Sequence, residues 1–331
     1  MLSVETRTVT SDEADIRLDR WFRRHFPSVT QGAIQKLCRT GQVRVDGRRA
    51  DAATRLAPGQ AVRIPPLPAR PDPAPPSPRL ELDAHARRDL EQTVLYRDDR
   101  IIVLNKPYGL PVQGGPGITR HLDAMLDGLR FGGERPRLVH RLDRDTSGIL
   151  VLARTAGTAA KLAAAFRGRE VEKIYWAVVA GRPVPVEGRI DLPLRRIGGP
   201  RGERTAPAER ADKEAARAIT DYRTLDHAAQ KLAWLELRPL TGRTHQLRVH
   251  CVALGAPILG DAKYAEPDQN GAGSAIVEGL PRQLHLHARA LHLPHPDGGT
   301  VLVEAEPPPH MRETFRILGF EAQAPRPPLR R

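Results

Sequence analysis

Apolar positions fall into three regimes along the chain. Near the start, Leu18, Trp21, Phe22 and Phe26 recur at helical spacing. Arg17, Arg20, Arg23 and Arg24 take the other face, which predicts an amphipathic helix stopped by Pro27. Ser28 or Thr30 can cap a second helix, with Ile34, Leu37 and Cys38 inward and Gly41 at its end. Val43-Arg44-Val45, the turn Asp46-Gly47 and Arg48-Arg49 read as a hairpin, and Pro58-Gly59 leads into a strand over Ala61–Ile64. The second regime is Pro65–Pro78, where eight of fourteen residues are proline. Proline fixes φ and lacks an N–H, so this stretch predicts an extended, semi-rigid spacer.

From about residue 90 the pattern is mixed, with a β majority. Thr93–Tyr96 and Ile101–Leu104 flank the turn Asp98-Asp99, and Ile149–Ala153, Ile174–Val179, Arg217–Thr224 and Leu232–Leu237 are further strand candidates. Helices fit Ala159–Arg167 and Thr244–Leu254, while the polar stretches 195–214 and 266–281 read as loops. Strands and helices do not alternate regularly, so the class is α+β rather than a doubly wound parallel sheet. The division is a small domain over 1–66, a Pro-rich linker over 67–89, a main domain over 90–320 with a mainly antiparallel mixed sheet, and a basic tail over 321–331 expected to be disordered.

Charge narrows the partner. Across 331 residues, 52 Lys and Arg face 39 Asp and Glu, a net charge of +13. Such an excess favours a polyanion, most commonly nucleic acid. Between Arg17 and Arg49 nine basic residues meet two acids, Asp19 and Asp46. No apolar run approaches the ~20 residues of a membrane span. The start, MLSVETRTVTSDEADIR, has no apolar signal core, and two distant cysteines, Cys38 and Cys251, fit a reducing cytoplasm.

The densest chemistry is VHRLDRDTSG, Val139–Gly148. Arginines flank Asp143, and such neighbours keep a carboxylate ionised. That group can be a nucleophile on an electrophilic carbon or half of a structural ion pair; residue types alone leave both open. Asp143 and Asp145 also spell Asp-x-Asp, but the apolar strand that a magnesium-dependent phosphatase runs into its first Asp is missing. RPLTGRTHQLRVH, Arg238–His250, places an arginine at a helix entry, where it can reach a carboxylate bidentately. In EKIYWAVV, Glu172–Val179, alternation sets Tyr175 opposite Ile174 and Trp176. The histidines of HLHARALHLPH (His285, His287, His292, His295) have no familiar metal spacing, and Gly109–Gly117 lacks the Lys of a phosphate-binding P-loop.

NKPYGL at 105–110, HRLDRDTSG, KIYWAVVAG, TGRTHQLRVH, and Leu286-His287-Ala288 with His295-Pro296 come in one order. In that order and spacing the chain resembles the RluA family of pseudouridine synthases over roughly residues 90–318, and its front resembles an S4 RNA-binding domain. The S4 likeness departs at Gly59-Gln60, where Gly-Asp is usual. The resemblance implies isomerisation of uridine to pseudouridine in RNA, most naturally large-subunit ribosomal RNA or its precursor, by a cytoplasmic monomer with no cofactor, metal or membrane partner. It implies Asp143 as the catalytic aspartate, Tyr175 as the tyrosine stacking on the base, Arg243 as the arginine paired with Asp143, and Arg141 in base extrusion. Leu247 and Val249 are read as a hydrophobic wall, Asp145 and Thr146 as loop supports, and His287 and His295 as structural. The candidate RNA contacts of the S4-like part are Arg17, Arg20, Arg24, Lys36, Arg39, Arg44 and Arg48. A non-catalytic RNA-binding ribosome-assembly factor on the same fold is the alternative.

Overall fold

The computed structural model describes residues 4–26, 29, 31–67, 82–115, 117–168, 170–198, 204–229, 231–264 and 277–321. The caps expected at Ser28 or Thr30, most of the Pro-rich stretch and the tail after 321 lie outside them. Two compact units divide at Pro78.

The first unit contains β1 (Glu5–Thr8), α1 (Leu18–His25), α2 (Gln31–Arg39), β2 (Arg44–Val45), β3 (Arg48–Arg49) and β4 (Ala61–Ile64). The strands form one antiparallel sheet in the order β1-β4-β2-β3. Its core is the predicted apolar set, with Leu18, Trp21, Phe22, Ile34, Val43 and Val62 fully buried. The hairpin turn has positive φ at both Asp46 and Gly47, which a two-residue loop matched to strand twist requires. The Asp46 carboxylate accepts from the Ala61 N–H at 2.8 Å and ties the hairpin to β4.

The second unit opens with α3 (Ala84–Gln92), capped by Asp83, whose side chain accepts from the Ala86 N–H. This helix begins inside the 67–89 stretch read as linker; Leu90 enters the core beside Leu126 and Leu129. Then follow β5 (Val94–Arg97), β6 (Ile101–Lys106), α4 (Leu122–Met125), β7 (Arg137–Leu138), β8 (Ser147–Ala153), α5 (Ala156–Gly168), β9 (Glu172–Ala180) and β10 (Glu187–Asp191). After them come β11 (Leu194–Ile197), β12 (Arg204–Pro207), β13 (Ile219–Ala228), β14 (Leu232–Pro239), α6 (Gln246–Ala253), β15 (Leu286–Pro294), β16 (Thr300–Glu304) and α7 (Pro309–Leu318). The main sheet runs β10-β13-β14-β9-β15-β8-β6-β5, with β16 on β15 and β7 on β8. Every ladder is antiparallel except the short β15–β8 pairing, so the sheet is mixed as expected.

One loop reading is corrected. Within 195–214, β11 and β12 pair as a separate two-stranded sheet. Along Leu194–Ile197 only Leu194 is buried, so the segment shows no alternation to read, and backbone pairing holds it.

Candidate active site

The catalytic-loop candidate, residues 139–146, lies between β7 and β8. Its path is fixed at both ends. Past it, Gly148 sits at φ 105°, and a Cβ there would lie 2.3 Å from the Ala288 carbonyl oxygen of β15. Only glycine lets the two strands approach this closely. Under the loop, Lys106 at the end of β6 is 1% exposed. Its Nζ donates to the carbonyls of Pro107 and Leu110 at 2.9 Å and of Arg144 at 3.0 Å. Burial pushes this ammonium down to about 8, against the pull of Asp145 and Asp143. One buried cation thus staples the 107–110 turn to the backbone beside Asp143.

Asp143 faces a cleft of about 500 Å³ lined also by Lys173, Tyr175, His245, Leu247 and Arg248. Tyr175 reaches it from β9, half-buried; burial and then the Asp143 charge push its phenol up, so it is protonated at neutral pH. His140 on the cleft wall stacks on Phe166 at 4.3 Å and accepts from the Val151 N–H. Burial and Lys173 hold it down to about 3, so it is neutral.

The turn into α6 supplies the other wall. His245 precedes the helix in the left-handed region, at φ 53°. For a non-glycine residue that is strained, and such strain collects at functional sites. It sets Nε2 3.8 Å from Asp143 Oδ2 and Nδ1 2.6 Å from the Tyr264 hydroxyl oxygen. That oxygen already accepts from the Thr205 N–H. Burial lowers the His245 pKa, opposed by Asp143. One turn on, Arg248 donates from Nε and Nη2 to the two oxygens of Asp261 at 2.8 and 2.6 Å, and both side chains are buried. Burial opposes the Arg248 charge, but Asp261, and Asp143 beyond it, hold its pKa above the ordinary value.

The expected Arg243–Asp143 pair is not the one formed. Arg243 is exposed, and its Nε donates outward to the Arg217 carbonyl at 3.1 Å. It stands before the helix and still lines the cleft, at its rim, while the Arg248 charge interacts with Asp143 from the helix. The flanking arginines behave similarly. Arg144 lies 3.5 Å from Asp145, and Arg141 is exposed at the cleft edge. Leu247 lines the cleft, but Val249 packs against Leu194 and Ala218 instead. Thr146 is buried, its N–H donating to the Asp143 carbonyl, a loop support as expected.

A profile of the RNA pseudouridylate synthase family matches residues 100–253, and an S4 domain matches residues 16–62. The ribosomal large subunit pseudouridine synthase C of Rickettsia bellii is 38% identical over 263 residues, covering 78% of this chain and 85% of the relative. The chain belongs to the RluA family. The mitochondrial pseudouridylate synthase RPUSD4 of Xenopus tropicalis is 39% identical, covering 70% of this chain and 82% of that protein. The solved human RNA pseudouridylate synthase domain containing 4 superposes with a TM-score of 0.61 at 31% identity, covering 72% of this chain and 97% of that one. This RluA-family chain is therefore an RNA pseudouridine synthase, an isomerase of uridine in RNA, with an S4 domain at its front. Among its described residues no helix is long and apolar enough to cross a membrane.

In the S4 domain of this synthase, Arg20, Lys36, Arg39 and Arg48 are exposed. Arg17 and Arg24 are held by Asp19 and Asp12 at 2.7 and 2.9 Å, and Arg44 donates to the Gly41 and Gly47 carbonyls. The histidines on and beside β15 serve structure. His287 bridges Ser147 Oγ and the Ala305 carbonyl, His285 meets Thr314 Oγ1, and His295 meets Asp98. Four site residues escaped the sequence reading: Lys106, His245, Arg248 and Tyr264. Three carried a signal, since Lys106, His245 and Arg248 lie within the quoted motifs.

Proposed function

We propose that the chain converts specific uridines of large-subunit ribosomal RNA, or its precursor, to pseudouridine, working as a cytoplasmic monomer close to the RluC branch. The Rickettsia relatives, named as ribosomal large subunit pseudouridine synthases, support the large-subunit substrate. The observation that carries the site reading is the meeting of Asp143, Tyr175 and the Arg248 charge in one cleft.

In this reading the target base leaves its stack, at a cost of a few kcal/mol, and enters the cleft. Exposed Arg141 at the edge meets the vacated position. Tyr175, protonated, stacks on the uracil. Asp143 supplies the carboxylate that acts on the nucleotide while Arg248 stabilises its charge. The C1′–N1 bond breaks, the uracil rotates, C1′ joins C5, the C5 proton is lost and N1 takes up a proton, so the product is an isomer of the substrate. Uracil is both leaving group and incoming nucleophile, so the bookkeeping closes without a cofactor. His245 is a positioning residue here. The Thr205 N–H occupies Tyr264, whose hydroxyl hydrogen then turns to His245 Nδ1 and leaves the proton on Nε2, facing Asp143.

Asp143→Asn keeps shape and removes the carboxylate. The expected result is unchanged RNA binding with pseudouridine formation at the level of a no-enzyme control, read by pseudouridine mapping of ribosomal RNA. Turnover by the variant above that control would end the assignment.

A further inference from the structure

A second cavity, of about 550 Å³, meets the cleft at Asp143, His245 and Arg248. Its remaining charged lining is Arg144, Asp145, Arg204, Lys263 and Arg282. Five cationic side chains therefore face two carboxylates. The arrangement is crowded: Arg248 and Arg204 both lower the Lys263 pKa, beyond the effect of burial. Arg204 lies over the Tyr264 ring at 5.4 Å, with Arg248 over the same ring at 5.0 Å. Like charges gathered on one wall disfavour one another, and an anion placed among them relieves that cost. Among the described residues, the bidentate Arg248–Asp261 pair and the Arg144–Asp145 pair offset two of these cations, and Arg204 and Arg282 present the positive face.

We infer that this cavity is a subsite for the phosphodiester backbone next to the target uridine. The inference rests on the cleft taking that uridine. A nucleotide whose base and ribose sit at Asp143 has its flanking phosphates covalently tied to that ribose, and the cavity opens on the same carboxylate. Arg204 and Arg282 supply donors for phosphate oxygens, and the contact is backbone-directed, so it positions the strand without reading sequence. The subsite is separate from the chemistry: Arg204 and Arg282 line only this cavity of the two.

The test is steady-state kinetics on a ribosomal RNA fragment carrying a mapped target uridine. Full-length wild type is compared with Arg204→Ala, Arg282→Ala and the double variant. A neutral methylphosphonate replaces each flanking linkage in turn. The double variant should raise KM about tenfold with kcat within twofold, and flatten the salt slope of binding by about 0.7 per lost contact. One methylphosphonate position should raise the wild-type KM alike and leave the double variant unaffected, because the same contact is already gone. An unchanged KM in the double variant, or a methylphosphonate penalty that simply adds to it at every position, would overturn the subsite. Wild-type enzyme that forms no pseudouridine in any ribosomal RNA would overturn the uridine reading itself, and the subsite with it.

Discussion

Asp143 shares its surroundings with three groups of different electrical character: neutral His140 across the cleft, His245 at 3.8 Å, and the Arg248 cation behind. The arginine is the one whose loss reaches furthest. Arg248→Met removes the charge felt by Asp143 and strands the buried Asp261, and breaking a buried pair this way costs about 3–5 kcal/mol. Melting temperature and turnover should both fall. Arg248→Lys keeps the charge without the two-point grip, so it should fold better and still turn over slowly. Arg243→Met should stay within a few-fold of wild type, since that guanidinium leans on a backbone carbonyl at the rim. Parallel turnover and melting assays on the three variants decide it; inactive Arg243→Met beside fully active Arg248→Met would reverse the assignment. Asp143 and Tyr175 are singled out in the sequence by the family resemblance, since residue types alone leave each with a structural alternative, and the structure brings the two into one cleft. Which arginine of TGRTHQLRVH serves Asp143 is harder to read, because Arg243 and Arg248 both line the cleft and their roles depend on where the helix starts. The spacing placed the start near Arg243 or Thr244, whereas His245 takes a left-handed conformation and the helix begins at Gln246. That shift puts Arg243 outside the helix and Arg248 on its inner side.

At the level of elements, the site depends on β15 running beside β8. The glycine at 148 permits it, so Gly148→Ala forces a Cβ into the Ala288 backbone at a φ that L-residues avoid. The cost should be well above 1 kcal/mol. Turnover should fall with it, because Asp143 stands five residues earlier on the loop that leads into β8. A variant that melts and turns over like wild type would show that the strands part freely. The entry to β15 also carries an acid-sensitive load. His285 and His287 are unexposed, and burial holds each down to about 4. The unfolded chain binds these protons near the ordinary value of about 6.5. Below that pH the unfolded state holds more protons, so stability is full above about 6.5 and is lost as pH falls toward 4. Two sites give a slope of up to about 2.7 kcal/mol per pH unit. Denaturant unfolding at pH 7 and pH 5 measures this directly, and equal stabilities would contradict it. Neither β15 nor β11–β12 was legible in the sequence. HLHARALHLPH buries histidines and an arginine with its apolar residues, which hides the period of a central strand. The hairpin of the first unit was legible because its turn chemistry is local.

For the whole molecule, the question is how the net charge of +13 is divided between holding RNA and turning it over. The core of the first unit is drawn from residues 9–67, and the cores of the second from residues 82–320. Neither borrows a buried side chain from the other among the described residues, so deleting 1–78 should leave a folded catalytic unit. The deletion removes the exposed Arg20, Lys36, Arg39 and Arg48, while Arg17, Arg24 and Arg44 are already engaged inside the unit. If those four exposed cations meet phosphates, the salt slope of binding should flatten by roughly 0.7 per contact on single strands and about 0.9 on a duplex, taking the DNA value as a guide. Asp143, Tyr175, His245 and Arg248 all stay, so the chemical step on saturating RNA should survive. The expected outcome is a raised KM with kcat changed much less. Kinetics on a ribosomal RNA fragment at two salt concentrations, for full-length and truncated protein, read both quantities. An unchanged KM with an unchanged salt slope would mean that the S4 unit does not grip the substrate. The second unit's own cations, Arg204 and Arg282 among them, would then carry the electrostatic share alone.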